Sequence, residues 1–224
     1  MLRRSSSLNK EQLALYFIMG STNTGTQDPL HVLECALRGG ITCFQLREKG
    51  PGAKSGEALL EFARQCQELC KEYSVPFIVN DDVDLALALD ADGVHVGQED
   101  EQAAIVRKRL GIGKILGVSS HTSDEVLAAI EAGADYIGMG PVYTTTSKPD
   151  AKPVAGTQFI QTTRSVYPDL PIVGIGGITV DNFAPVFAAG ANGVSVISAI
   201  AGATDVYAAT KAFAESIEKE GVPL

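Results

Sequence analysis

Eight short apolar runs, each followed by a polar rim or a helical stretch, most constrain what this chain can fold into. They are Tyr16–Gly20, Cys43–Arg47, Pro76–Asn80, Gly93–Gly97, Ile115–Ser119, Tyr136–Gly140, Ile172–Gly176 and Val194–Ile197. Most are continuous in apolar residues or glycine, as expected of parallel strands buried on both faces. Between them, Asp28-Pro29 opens a helix with an N-cap and a proline at N1. Glu57–Tyr73 is a long amphipathic run, Ser123–Ala132 is a helix without a full capping box, and Thr204–Glu218 closes the chain. Arg38-Gly39-Gly40, Glu131-Ala132-Gly133-Ala134-Asp135 and Ala188-Ala189-Gly190-Ala191-Asn192 each end a helix at glycine just before a strand. Eight alternating strands over about 200 residues predict a (β/α)8 TIM barrel. A doubly wound open sheet shares the alternation, and the count of eight favours the barrel.

No linker or low-complexity segment divides residues 1–224, which read as one domain. Residues 1–12 form an N-terminal arm, with Asn9-x-x-Gln12 as a capping box for one short helix. Apolar residues make up 45% of the chain, enough for a sizeable core. The net charge of −9 argues against nucleic acid as a partner but not against a small anion in a local cationic pocket. No apolar run approaches the ~20 residues of a membrane span. Arg3-Arg4 precedes serines and a polar stretch, not the apolar core of a signal peptide. Cys35, Cys43, Cys66 and Cys70 lack zinc-site spacing and read as reduced thiols of a cytoplasmic protein. The sequence leaves room for a homo-oligomer.

In a barrel the residues that follow each strand face the active site. Val79-Asn80-Asp81-Asp82 and Gly97-Gln98-Glu99-Asp100 end two adjacent strands with acidic clusters, and carboxylates delivered together suit a hard cation such as Mg²⁺. Helix N-capping is the competing reading, and Asp82 is itself expected to be such a cap. Gln45, Arg47 and Lys49 alternate, so an extended strand end points all three to one side, where they offer donors to a phosphate. Cations beside paired carboxylates suggest a site for a metal-bound diphosphate. Gly176-Gly177 ends strand seven with backbone N–H groups suited to a second phosphate, and Ser198 ends strand eight. The loop Gly140–Pro153, carrying Thr145, Ser147 and Lys148, reads as a mobile lid. His121 at the end of strand five is either a general acid–base or a structural support. His31, in a helix, and His95, within a strand, read as structural.

These elements together resemble the thiamine-phosphate synthase family. The residues carrying the resemblance are Gln45-Leu46-Arg47-Glu48-Lys49, Val79–Asp82, Gly93–Asp100, Gly117-Val118-Ser119, Gly138–Tyr143 and Val173–Ile178, in family order. The resemblance implies a Mg²⁺-dependent barrel enzyme that joins 4-amino-2-methyl-5-pyrimidinylmethyl diphosphate to 4-methyl-5-(2-phosphoethyl)thiazole, releasing pyrophosphate and thiamine phosphate. It implies that Gln45, Leu46, Arg47, Glu48, Lys49, Asn80, Ser119 and Lys148 contact the pyrimidine diphosphate, with Arg47, Lys49, Ser119 and Lys148 carrying catalysis. It implies Asp81 and Asp100 as metal ligands, and Thr145, Ser147, Gly177, Ile197 and Ser198 as contacts of the thiazole phosphate. Diphosphate is expected to leave before the thiazole nitrogen attacks, which needs little general-base help. The lid departs from the family's usual Pro-Thr-x-Thr-Lys, reading Thr144-Thr145-Thr146-Ser147-Lys148. A histidine-using thiazole tautomerase and a non-catalytic phosphate-binding barrel are the alternatives.

Overall fold

In the computed structural model the strands are β1 (Leu15–Met19), β2 (Cys43–Leu46), β3 (Phe77–Asn80), β4 (Gly93–Val96), β5 (Ile115–Ser120), β6 (Tyr136–Met139), β7 (Ile172–Ile175) and β8 (Gly193–Val196). Every neighbouring pair is parallel, and β8 returns to pair with β1, so the sheet is a closed eight-stranded barrel and not an open one. The structure describes residues 8–145, 147 and 152–224. The helices that cover the barrel are α1 (Pro29–Gly39), α2 (Gly56–Glu72), α3 (Val83–Ala88), α4 (Ala103–Leu110), α5 (Ser123–Glu131), α6 (Gln158–Val166), α7 (Ala184–Ala188), α8 (Ser198–Ala201) and α9 (Val206–Lys219).

Strand alternation sorts the apolar residues into two layers. Phe17, Phe44, Phe77, Val94, Leu116, Ile137 and Val194 face outward into the strand–helix core. Tyr16, Ile18, Cys43, Ile78, Ile115, Tyr136 and Val173 fill the barrel itself. Both sides of each strand are therefore dry, which is why the strand runs are apolar throughout. Phe62, Ala63, Cys66 and Cys70 form the buried stripe of α2. Burial pushes the Cys43, Cys66 and Cys70 thiols up, so these cysteines act as packing groups.

Local capping mostly follows the chain. Asp28 accepts from the His31 N–H, and Asp82 caps α3 by accepting from Leu85 N. The start of α5 differs from expectation: Thr122, not Ser123, is the N-cap, because its hydroxyl reaches the Glu125 N–H. The Asn9–Gln12 capping box is present on a single 3-10 turn, Lys10–Leu13. That turn is the floor of the barrel: Leu13 is fully buried, and Leu8 packs against the interior cluster.

The floor shows a fourfold pattern. The residue just before each even-numbered strand accepts an N–H from the first or second residue of the preceding odd strand. Thr42 serves Leu15 (2.9 Å), Asp92 serves Phe77 (2.8 Å), Asp135 serves Leu116 (2.8 Å) and Asn192 serves Ile172 (3.0 Å). These are backbone donors at the foot of a strand, which need an acceptor once buried. At the last two places an arginine locks the acceptor. Arg107 donates to Asp135 Oδ2 at 2.5 Å and to the carbonyls of Gly133, Gly111 and Lys114. Arg164 repeats this with Asn192 Oδ1 at 2.8 Å and the carbonyls of Gly190, Tyr167 and Pro168.

Candidate active site

At the opposite face the strand ends open into a cavity of about 550 Å³, within the usual range for small-molecule sites. Arg47 and Lys49 form one wall, while Gln45 lies beneath them, turned into the barrel and buried. The expected alternation therefore holds. Leu46 and Glu48 point elsewhere. Leu46 is buried in the strand–helix core. The Glu48 carboxylate accepts from Ser21 N (2.6 Å), Ser21 Oγ (2.5 Å) and Lys54 N (2.8 Å), stapling two loops together. Neither side chain lines the cavity, since alternation sends even positions of this strand away from it.

The two acidic clusters meet. Asp81 follows β3 with φ of 63°, a left-handed conformation uncommon outside glycine, and its N–H donates to the His95 carbonyl at 2.9 Å. Its Oδ2 contacts the Lys49 ammonium and accepts from Asn80 Nδ2 at 2.6 Å. Asp100 arrives from the β4 loop, one oxygen held by the Gly97 N–H at 2.8 Å. Burial raises the Asp81 carboxyl above the usual carboxylate range; Lys49 pulls it down, and hydrogen bonding and charge from Asp100 push it up. Two carboxylates pressed together with one ammonium form a site short of positive charge. Among the described residues no third His, Cys, Asp or Glu joins them.

Ser119 faces the cavity from β5, its Oγ 2.9 Å from His95 Nε2. His95, expected to be merely structural, thus belongs to the cavity wall. Its place at the second interior position of β4 was the available signal. His121 also lines the cavity, with both its N–H and Nδ1 directed to Glu125 Oε2, at 2.6 and 3.3 Å.

The far wall is built from the loops after β6, β7 and β8. Gly176 and Gly177 have φ of 102° and 65°. A Cβ on Gly177 would strike the Thr144 carbonyl and lie 2.8 Å from Tyr143 Cβ, so the turn demands glycine. Asn182, missed in the sequence, clamps it: Nδ2 donates to Gly177 O (3.0 Å) and Oδ1 accepts from Thr179 N (2.8 Å). Thr145, Ser147, Ile197 and Ser198 all line the cavity. Ser147 Oγ donates to Ser198 Oγ at 3.0 Å, joining the loop after β6 to the end of β8. The base of that loop closes through Ala155 N to Pro141 O at 2.8 Å. Lys148, with Thr146 and residues 149–151, lies outside the described residues.

Known proteins resemble this chain along most of its length. A family model described as thiamine monophosphate synthase matches residues 15–200. The chain is 57% identical to a thiamine-phosphate synthase of Bacillus licheniformis, over 97% of this chain and 96% of that one. It is 58% identical to one of Lysinibacillus sphaericus, over 89% of this chain and 93% of its relative. A solved thiamine phosphate pyrophosphorylase of Pyrococcus furiosus superposes with a TM-score of 0.84 at 34% identity, covering 94% of this chain and 98% of its own. With a matched family model, full-length relatives and the same barrel in a solved structure, the chain belongs to the thiamine monophosphate synthase family of enzymes.

Proposed function

We propose that this chain makes thiamine phosphate by joining 4-amino-2-methyl-5-pyrimidinylmethyl diphosphate to 4-methyl-5-(2-phosphoethyl)thiazole, releasing pyrophosphate. The observation that carries this is one cavity with two different anion-receptive walls. Arg47 and Lys49 stand with Asp81 and Asp100 on one side, and the Gly176-Gly177 turn stands with Ser198 on the other. Two phosphorylated substrates need two such walls, held so that their reacting atoms meet between them.

On this reading Arg47, Lys49 and Lys148 hold the diphosphate, and their charges grow in value as the leaving group accumulates negative charge. Ser119 and Asn80 orient the pyrimidine, and Gln45 supports that wall from below. Leu46 and Glu48 contribute by shaping the β2 end. The Gly177 N–H, Ser198, Ile197, Thr145 and Ser147 hold the thiazole phosphate. Asp81 and Asp100 fit a hard divalent cation such as Mg²⁺, since their paired carboxylates already gather a lysine ammonium. Mg²⁺ bound there would neutralise diphosphate charge. Diphosphate departs first, and the electron-rich aminopyrimidine stabilises the resulting methylene cation. The thiazole nitrogen then attacks with no proton to lose, so no base is required. Residues 1–224 act as one barrel domain, in the cytoplasm and with small molecules as partners.

Mixing both substrates with the protein and Mg²⁺ should yield thiamine phosphate; no product at high enzyme concentration refutes the reading. The presence of His121 in the cavity favours a second reading, thiazole tautomerisation. His121→Ala should retain most synthase activity, and its abolition would reopen an acid–base role for His121.

A further inference from the structure

A file of hydrogen bonds crosses the barrel beneath the cavity. Gln45 Nε2 donates to Tyr16 Oη (2.9 Å), Tyr16 Oη meets Tyr136 Oη (2.7 Å), Tyr136 Oη meets His95 Nδ1 (2.9 Å), and His95 Nε2 meets Ser119 Oγ (2.9 Å). Its members come from β2, β1, β6, β4 and β5, so only barrel closure brings them together. Space for it is kept by glycine. A Cβ on Gly117 would lie 2.5 Å from His95 Nδ1, and one on Gly138 3.2 Å from His95 Cε1. Burial holds both phenols well above their usual range, so each keeps its one proton.

The file has a direction. An amide N–H can only donate, so Tyr16 accepts from Gln45; the order that places a donor opposite an acceptor at every later step has Tyr16 giving its own proton to Tyr136. Tyr136 then has its proton left for His95 Nδ1. A ring that accepts at Nδ1 carries its proton on Nε2 and donates to Ser119 Oγ. Ser119, having accepted, is left to donate its hydroxyl proton into the cavity. We propose that Tyr136 and His95 are positioning residues which, oriented by Gln45 through Tyr16, fix His95 as the Nε2–H tautomer and make Ser119 a one-way hydrogen-bond donor to the pyrimidine substrate. This rests on the reading of Ser119 as a substrate contact. Ser119 therefore selects a substrate that presents an acceptor, a lone-pair nitrogen or a phosphate oxygen, at that point.

The test uses the intact protein. Ring ¹⁵N spectra are recorded on wild type, on His95→Gln to assign the His95 signals, and on Tyr136→Phe. Wild-type His95 should show a bare Nδ1 and a protonated Nε2, and Tyr136→Phe should give a mixture of tautomers. A protonated Nδ1 in the wild type, whether neutral ring or imidazolium, overturns the proposal without any variant having to fold. In kinetics, Tyr136→Phe should lower kcat about tenfold, a partial loss of one oriented donor. That loss should vanish in a Ser119→Ala background. An equal loss in both backgrounds overturns the relay. Failure of the wild type to form thiamine phosphate would instead refute the proposed function, while the ring spectra would still judge the relay.

Discussion

Removing the Asp135 carboxylate should cost stability while sparing the cavity. Arg107 and Asp135 side chains are 9% and 13% exposed, so the pair is nearly dry. Asp135→Ala would strip the guanidinium of its only described counter-charge and leave the Leu116 N–H at the foot of β5 without its acceptor. Breaking a buried pair from one side costs about 3–5 kcal/mol. Here the carbonyls of Gly133, Gly111 and Lys114 still hold the guanidinium, which argues for about 3 kcal/mol. The molecule contains its own control. At Arg164 the same position is Asn192, whose amide oxygen serves both the arginine and the strand N–H. Asp135→Asn should therefore cost no more than about 1–2 kcal/mol, having lost charge but not the acceptor. Urea unfolding of wild type and both variants measures the difference, and thermal melting should show a drop of about 6–12 °C for Asp135→Ala in a chain this long. Catalytic constants of the folded variants should match wild type, because the clamp sits at the face away from the cavity. A loss below about 1 kcal/mol for Asp135→Ala, or equal losses for Ala and Asn, would refute the reasoning.

Lys148→Ala should cut turnover by about 10²-fold, the scale of one lost transition-state donor, and a loss under about threefold would put that lysine outside the site. Asp81→Ala and Asp100→Ala should abolish the response of turnover to Mg²⁺ titration without unfolding the chain; unchanged Mg²⁺ curves would refute the metal assignment. Asp81 should also shape stability against pH. Its carboxyl is raised by burial, so its stabilising contribution is full below its unfolded pKa and lost as pH rises through the folded one. Without divalent cation, Asp81→Asn should thus raise the melting temperature at pH 7 relative to wild type and lose that advantage toward pH 4; a gain independent of pH would contradict it. Gly177→Ala should raise KM for the thiazole phosphate more than for the diphosphate, since φ of 65° and the Thr144 carbonyl leave no room for a methyl group. Equal effects on both substrates would mean the turn does not serve one of them.

The strands were legible because a parallel barrel strand is dry on both faces, and eight such runs can be counted without knowing what packs on them. The caps at Asp28 and Asp82 were legible because each acts on a residue three positions away. Thr122 escaped because Ser123, one residue on, has the same chemistry, and only the backbone path shows which hydroxyl meets the Glu125 N–H. Pattern alone put Gln45, Arg47 and Lys49 on one side of a strand end. It could not show that the Glu48 carboxylate turns back to Ser21, a loop from another strand.

By itself, then, the sequence determined the alternation of elements, the rim on which polar residues gather, and the family those residues resemble. These depend on period, neighbours and residue type. The tertiary structure decided that the turn Lys10–Leu13 is the barrel floor, that Lys49 rests on Asp81, and that His95 reaches Ser119. It also joined Tyr16 to Tyr136 across 120 residues of chain. Such contacts depend on the stagger at which eight strands close on themselves, a property of the whole barrel that no single stretch of sequence carries.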